Sequence, residues 1–203
     1  MREGLRLMLT GALGSEEALA SLMALGEELL RWNQRINLTG YRDMEAVAVG
    51  LFLDSLALKP LVMGSSLLDI GSGAGFPGLV LALTLPEVRV TLLEARGKRV
   101  SFQKQAVRLL GLGNVRCARG RAAGEGDKVR ALPGERFDTV TVKAVGSLRD
   151  SLALALAYLA PGGRVLLPRG QGEAEEANAL GLLTMAYELP PPGGKRIIAI
   201  HQA

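Results

Sequence analysis

From residue 66 to residue 179 short apolar runs alternate with helical segments, and few folds accommodate that order. "SLLDI" precedes a helical stretch from Phe76, and "VRVTLLE" precedes one from Gly97. Then come "NVRC", "FDTVTV", the amphipathic "SLRDSLALALAYLA", "GRVLLP" and a helix from about Gln171 to Ala179. This alternation predicts a parallel sheet with helices packed on its faces, because each parallel crossover needs a connection of helical length. The tail "LLTMAYELPPPGGKRIIAIHQ" breaks the rule. Its two strand-like runs meet at a Pro-Gly turn, which predicts an antiparallel pair at the end of the sheet. The expected class is α/β, a doubly wound, mostly parallel seven-stranded sheet with an antiparallel C-terminal strand.

Ahead of the sheet, Leu19, Leu22, Met23, Leu29 and Leu30 recur at helical spacing, with Ser15 placed to cap the helix and Glu16 and Glu17 in its first turn. The loop "NQRINLTGYRD" separates this helix from a second helical stretch that starts near Asp43 and passes through "LFLDSLALKPLV". Residues 1–65 are therefore expected to form a helical cap and residues 66–203 the sheet domain. No apolar run reaches the roughly 20 residues of a membrane span, and no cleavage site follows the N-terminus. A cytoplasmic location is expected. Cys117 is the only cysteine and His201 the only histidine, which excludes an internal disulfide and a multi-cysteine metal site, so no metal is expected. Cys117 reads as a small core residue on a buried strand and His201 as strand-end surface.

The formal net charge is +4, and the excess is local. Between Arg96 and Arg136 eleven basic residues (Arg96, Lys98, Arg99, Lys104, Arg108, Arg116, Arg119, Arg121, Lys128, Arg130, Arg136) face three acids (Glu125, Asp127, Glu135). A polyanion such as RNA suits this distribution, and so do solvated helix faces.

The stretch "LLDIGSGAGFPGLVLAL" carries the chemistry. At the carboxyl end of the first sheet strand it sets Gly71, Gly73, Gly75 and Gly78 where a helix begins and main-chain N–H groups are free. Dinucleotides and S-adenosylmethionine both use such a turn, and Gly73, Gly75 and Gly78 satisfy G-x-G-x-x-G, alone a weak signal. Asp69 bears on the choice. A carboxylate repels a pyrophosphate but attracts a ligand bearing an ammonium and a sulfonium, which favours S-adenosylmethionine. Glu94, ending the next strand, could accept from a ribose diol in either class. A turn that merely closes a strand-helix corner would rarely need four glycines in this space.

These segments, with "LLEARGKRVSFQ", "FDTV", "WNQRINLTGYRD" and "FLDSLAL" in the same order and spacing, resemble the ribosomal small-subunit methyltransferase G family, also called glucose-inhibited division protein B, over nearly the whole chain. The D-x-G-x-G-x-G turn marks only the broad S-adenosylmethionine-dependent class. "GFPG", W-N-x-x-x-N-L-T (Trp32, Asn33, Asn37, Leu38, Thr39) and "GKR" (Gly97, Lys98, Arg99) are more specific. The resemblance implies a methyltransferase fold with an N-terminal helical cap, S-adenosylmethionine as cofactor, and 16S rRNA or the small subunit (or its assembly intermediate) as partner; separately, a monomer is expected. It further implies methylation of N7 of guanine 527 by direct in-line displacement, without a general base and hence without an acid-base catalytic residue.

Carried over residue by residue, the cofactor would meet Asp69, Gly71, Ser72, Gly73, Gly75 and Phe76 at the turn, Glu94 and Ala95 after the second strand, Arg121, Ala122 and Ala123 after the third, and Lys143 after the fourth. RNA would meet Asn37 in the cap loop and Arg96, Lys98, Arg99 and Arg169 beyond strand ends. Trp32 and Phe102 are expected to pack inside rather than stack on a base. The chain departs from the family pattern at Ala123 (usually Glu), Lys143 (usually Arg), Arg169 (usually Lys) and near Leu51 (usually His). Lys143 offers a point charge in place of a planar fork. Two other readings stand beside this one: a nicotinamide-dependent oxidoreductase using the G-x-G-x-x-G turn, and a non-catalytic RNA-binding assembly factor on a methyltransferase fold.

Overall fold

The computed structural model describes residues 2–122, 132–143 and 146–203. Its strands are β1 (Ser66–Ile70), β2 (Arg89–Glu94), β3 (Val115–Arg119), β4 (Phe137–Val142), β5 (Leu159–Gly170), β6 (Leu183–Leu189) and β7 (Gly194–Gln202). They form one sheet in the order β3-β2-β1-β4-β5-β7-β6. Pairing is parallel from β3 through β5, and β7 then runs antiparallel to both β5 and β6. The tail is thus the antiparallel pair the sequence predicts, with its second strand inserted beside β5 and its first left at the edge.

The central strands are buried almost continuously because both faces of the sheet are covered, and successive residues alternate between two apolar clusters. Leu67, Leu92, Leu166 and Ile198 join one apolar cluster, while their neighbours Leu68, Leu93, Val165, Leu167, Ile197 and Ala199 join the other. Helices α5 (Gly78–Thr84) and α6 (Gly97–Leu109) cover the first face, and α7 (Leu148–Leu156) and α8 (Ala174–Ala179) the second. The winding reverses between β1 and β4, and their carboxyl ends therefore open a crevice.

The cap begins one helix earlier than the sequence suggests. Helix α1 (Glu3–Leu13) precedes α2 (Glu16–Asn33). Gly4 and Gly11 lower its intrinsic helical propensity, but Leu5 and Leu9 are buried. Gly14 ends it at φ 77°, donating its N–H to the Thr10 carbonyl at 2.8 Å. Ser15 caps α2 as predicted, its hydroxyl accepting from the Ala18 N–H at 3.0 Å. Asp43 does the same for α3 (Met44–Val47), accepting from Ala46 at 2.8 Å. A π-helical turn, Ala48–Leu53, then leads into α4 (Asp54–Leu56).

Asn33 explains why the cap loop has one shape. Its buried amide accepts from the N–H groups of Leu38 (2.8 Å) and Thr39 (3.1 Å) and donates to the carbonyls of Thr39 (3.0 Å) and Tyr41 (3.1 Å). One side chain satisfies four main-chain groups that the turn would otherwise leave unpaired. Trp32 seats the end of α2 on α6, its ring edge-on to Phe102 with centroids 5.7 Å apart. None of the described helices is long and apolar enough to cross a membrane.

Two expectations change in detail. The helix after β4 stops at Leu156, and the long strand β5 starts at Leu159, within the stretch read as helical. Cys117 lies on β3 at the open edge of the sheet and is only half-buried, its thiol pKa pushed up by burial and drawn down by Lys104.

Candidate functional site

The first strand passes directly into the glycine turn. The N–H groups of Gly71 and Ser72 both donate to the Leu93 carbonyl, at 2.8 and 3.1 Å, which fastens the turn to the end of β2. Gly71 and Gly73 have φ of 66° and 59°, a region costly for residues with a Cβ. At Gly78 the constraint is space: a Cβ there would lie 2.2 Å from Leu92 Cδ2 and 3.0 Å from Asp69 Oδ2.

Asp69 sits beneath this turn with no exposed surface. Its Oδ2 accepts from the Gly78 N–H at 2.9 Å, and its Oδ1 is buried without a partner. Burial raises the carboxyl pKa to about 7, against the lowering effects of the Gly78 hydrogen bond and the Lys143 charge. The acid predicted to lie near the ligand therefore acts from below the loop and does not line an open pocket. Its position also bears on the dinucleotide reading. The start of α5, where a pyrophosphate would dock, already has its first N–H bonded to the Asp69 carboxyl.

Ile70, Gly71, Leu93, Glu94, Ala95, Gly120, Arg121, Ala122 and Leu154 line a cavity of about 320 Å³ at the carboxyl ends of β1, β2 and β3. Of the predicted cofactor residues, Gly71, Glu94, Ala95, Arg121 and Ala122 meet there. Ser72 and Gly73 lie in the adjoining turn. Ala123 falls outside the described residues. Phe76 lies in the same glycine turn, and its buried ring packs on Phe52 of the cap, centroids 6.0 Å apart. A cavity of about 490 Å³ opens on the opposite edge, among Arg89, Asn114 and Arg136. It adjoins the amino ends of the parallel strands and lacks the glycine turn, so the smaller cavity fits the chemistry better.

Glu94 has both oxygens engaged by main chain, Oε2 by the Gly73 N–H at 3.0 Å and Oε1 by the Arg96 N–H at 2.7 Å. Arg99 Nη1 stands 3.6 Å from the same Oε2 and 3.8 Å from where a Cβ on Gly73 would be. Gln103 was missed by sequence reasoning. From inside α6 its amide donates to Ser72 Oγ at 2.8 Å and to the Gly73 carbonyl at 2.9 Å, bracing the turn from behind. Only its register five residues after Lys98 could have pointed to it.

Lys143 follows β4 beside β1, as expected, but its ammonium is held by the cap. Nζ lies 2.5 Å from Asp54 Oδ2 and 3.4 Å from the Gly50 carbonyl, and the Tyr187 hydroxyl donates to Asp54 Oδ1 at 2.6 Å. Burial and the Asp54 charge push the Tyr187 pKa upward. Asp54 and Tyr187 also escaped notice, because only the fold brings them together.

The nucleic-acid residues divide. Asn37, Arg96, Lys98 and Arg99 line one concavity of about 510 Å³ between the cap loop and the start of α6, together with Arg35. Arg169 is excluded from it. Its guanidinium is buried, donating to the carbonyls of Val142 (3.0 Å) and Pro168 (2.8 Å) and to Ser151 Oγ (2.6 Å), with Glu173 Oε2 at 3.2 Å. Burial lowers its pKa, and Glu173 opposes that shift. The sequence places Arg169 correctly at a strand end but cannot tell that the side chain turns inward to join β4, β5 and α7.

These features fit S-adenosylmethionine. An orphaned buried carboxylate oxygen suits a cationic ligand, a Cβ at Gly73 would meet nothing closer than 3.8 Å, and the cavity joins apolar walls (Ile70, Leu93, Leu154) to polar strand ends.

Comparison with known proteins agrees. A solved "SAM dependent methyltransferase from Aquifex aeolicus" superposes with a TM-score of 0.56 at 20% identity, covering 78% of this chain and 93% of that one. Cofactor-bound Rv0187 from MTB gives 0.63 at 17% identity, covering 95% and 93%. At these identities the likeness shows the fold. Sequence carries the family: "Ribosomal RNA small subunit methyltransferase G" of Myxococcus xanthus (strain DK1622) is 43% identical over 188 residues, 88% of this chain and 85% of that protein. The family profile GidB, described as rRNA small subunit methyltransferase G, matches residues 18–186. With the glycine turn, the cap loop and the "GKR" helix start all inside that span, the chain belongs to the rRNA small subunit methyltransferase G family.

Proposed function

We propose that the protein methylates N7 of guanine 527 in 16S rRNA, within the S-adenosylmethionine-dependent rRNA methyltransferase activity that its family carries. The observation supporting this reading is the adjacency of two sites through Arg99. Its guanidinium lies over the glycine turn and beside Glu94, and it also lines the basic concavity with Asn37, Arg96 and Lys98. A polyanion held in that concavity lies next to the cofactor end of the sheet.

Guanine N7 presents a lone pair and carries no proton at neutral pH, so no side chain need remove one. S-adenosylmethionine supplies a transferable methyl on a sulfonium. Gly71, Ala95, Arg121 and Ala122 would hold it, with Asp69 opposing its charge from beneath. The protein's contribution is alignment and exclusion of water, for which effective molarities of about 10⁵ to 10⁸ M are available. Residues 1–65 serve as the cap that carries one wall of the RNA concavity, and the enzyme works as a cytoplasmic monomer.

Under-modified small ribosomal subunits, incubated with the protein and methyl-labelled S-adenosylmethionine, should acquire label on one guanine N7. Label on another atom or nucleotide would overturn the substrate assignment and leave the fold untouched. In the same preparation Lys98→Gln should lower the slope of log affinity against log salt by about 0.7 to 0.9, one phosphate contact. An unchanged slope would remove Lys98 from the interface.

A further inference from the structure

We infer that Trp32 is a base-stacking platform for an unpaired nucleotide of the bound RNA, a subsite on the cap that rests on the RNA reading above. Arg31, Trp32, Arg35 and Ile36 line a second cavity of about 440 Å³. Arg35 and Ile36 also line the concavity that holds Asn37, Arg96, Lys98 and Arg99, so the two hollows adjoin at the cap loop. A strand lying in one passes into the other.

Trp32 is held as a stacking surface needs to be. Its half-buried ring packs edge-on against Phe102, which has no exposed surface. The indole N–H donates to Glu28 Oε1 at 2.8 Å. With the ring in contact with Phe102 and its only donor engaged, a base meets a surface that loses little freedom on binding. Interior packing, expected from sequence, thus accounts for one part of the ring, and the remainder lines the cavity.

The charges suit a nucleotide. Glu28, the acid at this site, is buried and has its oxygens on Trp32 and Arg31. Arg35 is exposed and adds a positive charge at the junction of the hollows. An aromatic ring with adjacent cations is the arrangement that holds single-stranded RNA, base on ring and phosphate on guanidinium.

The sequence contains one tryptophan, so its emission reports this site alone. The full chain is titrated with an end-labelled single-stranded RNA of about ten nucleotides, following RNA anisotropy and tryptophan emission together. Inorganic polyphosphate, a polyanion without bases, is the control. Quenching in step with anisotropy, with polyphosphate competing for RNA but leaving emission unchanged, is the expected result. Trp32→Leu should weaken RNA binding by about 5- to 150-fold; should that variant fail to fold, the wild-type titration still decides. RNA bound without quenching, or polyphosphate quenching equally, would overturn the stacking subsite and spare the RNA interface. No RNA binding at all would overturn both.

Discussion

Replacing Asp69 by Asn tests the electrostatics of the cofactor site directly. The carboxyl is fully buried and its pKa is raised, chiefly by burial, from 3.8 to about 7. A group raised in this way adds stability that is fully present below its unfolded value near 3.8 and is lost as pH rises through about 7. At 1.36 kcal/mol per unit the ionised acid costs the cofactor-free protein at most roughly 4 kcal/mol at pH 8. Asn keeps the shape and an oxygen for the Gly78 N–H but never ionises. The variant should therefore melt higher than wild type at pH 8, and the gap should shrink to less than half by pH 5 and vanish only near pH 4. A cationic ligand stabilises the ionised form, so wild type binding S-adenosylmethionine at pH 6 should release up to about 0.9 proton, falling to about 0.1 at pH 8. Calorimetry in buffers of different ionisation enthalpy measures this release. Equal pH dependence of melting in both proteins, or no proton release from wild type at pH 6, would refute the account.

Two further substitutions separate bracing from binding. Gln103→Leu frees Ser72 Oγ and the Gly73 carbonyl, and calorimetry should find S-adenosylhomocysteine affinity reduced by about 5- to 30-fold, the value of one or two buried hydrogen bonds, with RNA affinity unchanged. Arg169→Met strips partners from Val142, Ser151 and Glu173; denaturant unfolding should show a loss of about 3 kcal/mol, while the salt slope of RNA binding stays as in wild type.

The sheet was legible because its signals are local. Alternating strand and helix, Ser15 and Asp43 at helix starts, and the Pro-Gly turn before β7 each depend on a few neighbouring residues. Helix α1 escaped because its stability comes from burying Leu5 and Leu9 against the rest of the cap, which outweighs two unfavourable glycines. The same distinction governs the site. Gly71, Glu94 and the Asn37 to Arg99 grouping follow from strand ends and motif spacing. Gln103, the Lys143, Asp54 and Tyr187 chain, and the inward turn of Arg169 depend on contacts between residues distant in sequence. Charge alone misread Arg169, since a strand-end arginine looks the same in sequence whether it meets solvent or three carbonyl and hydroxyl oxygens.

Asn33 has a consequence for how recognition is shared between the partners. By gripping the main chain at Leu38, Thr39 and Tyr41, it gives the cap a finished relief before any polynucleotide arrives. The ordering cost of docking then falls on the nucleic acid, and particles whose target loop is already splayed should be preferred over those where it is stacked shut.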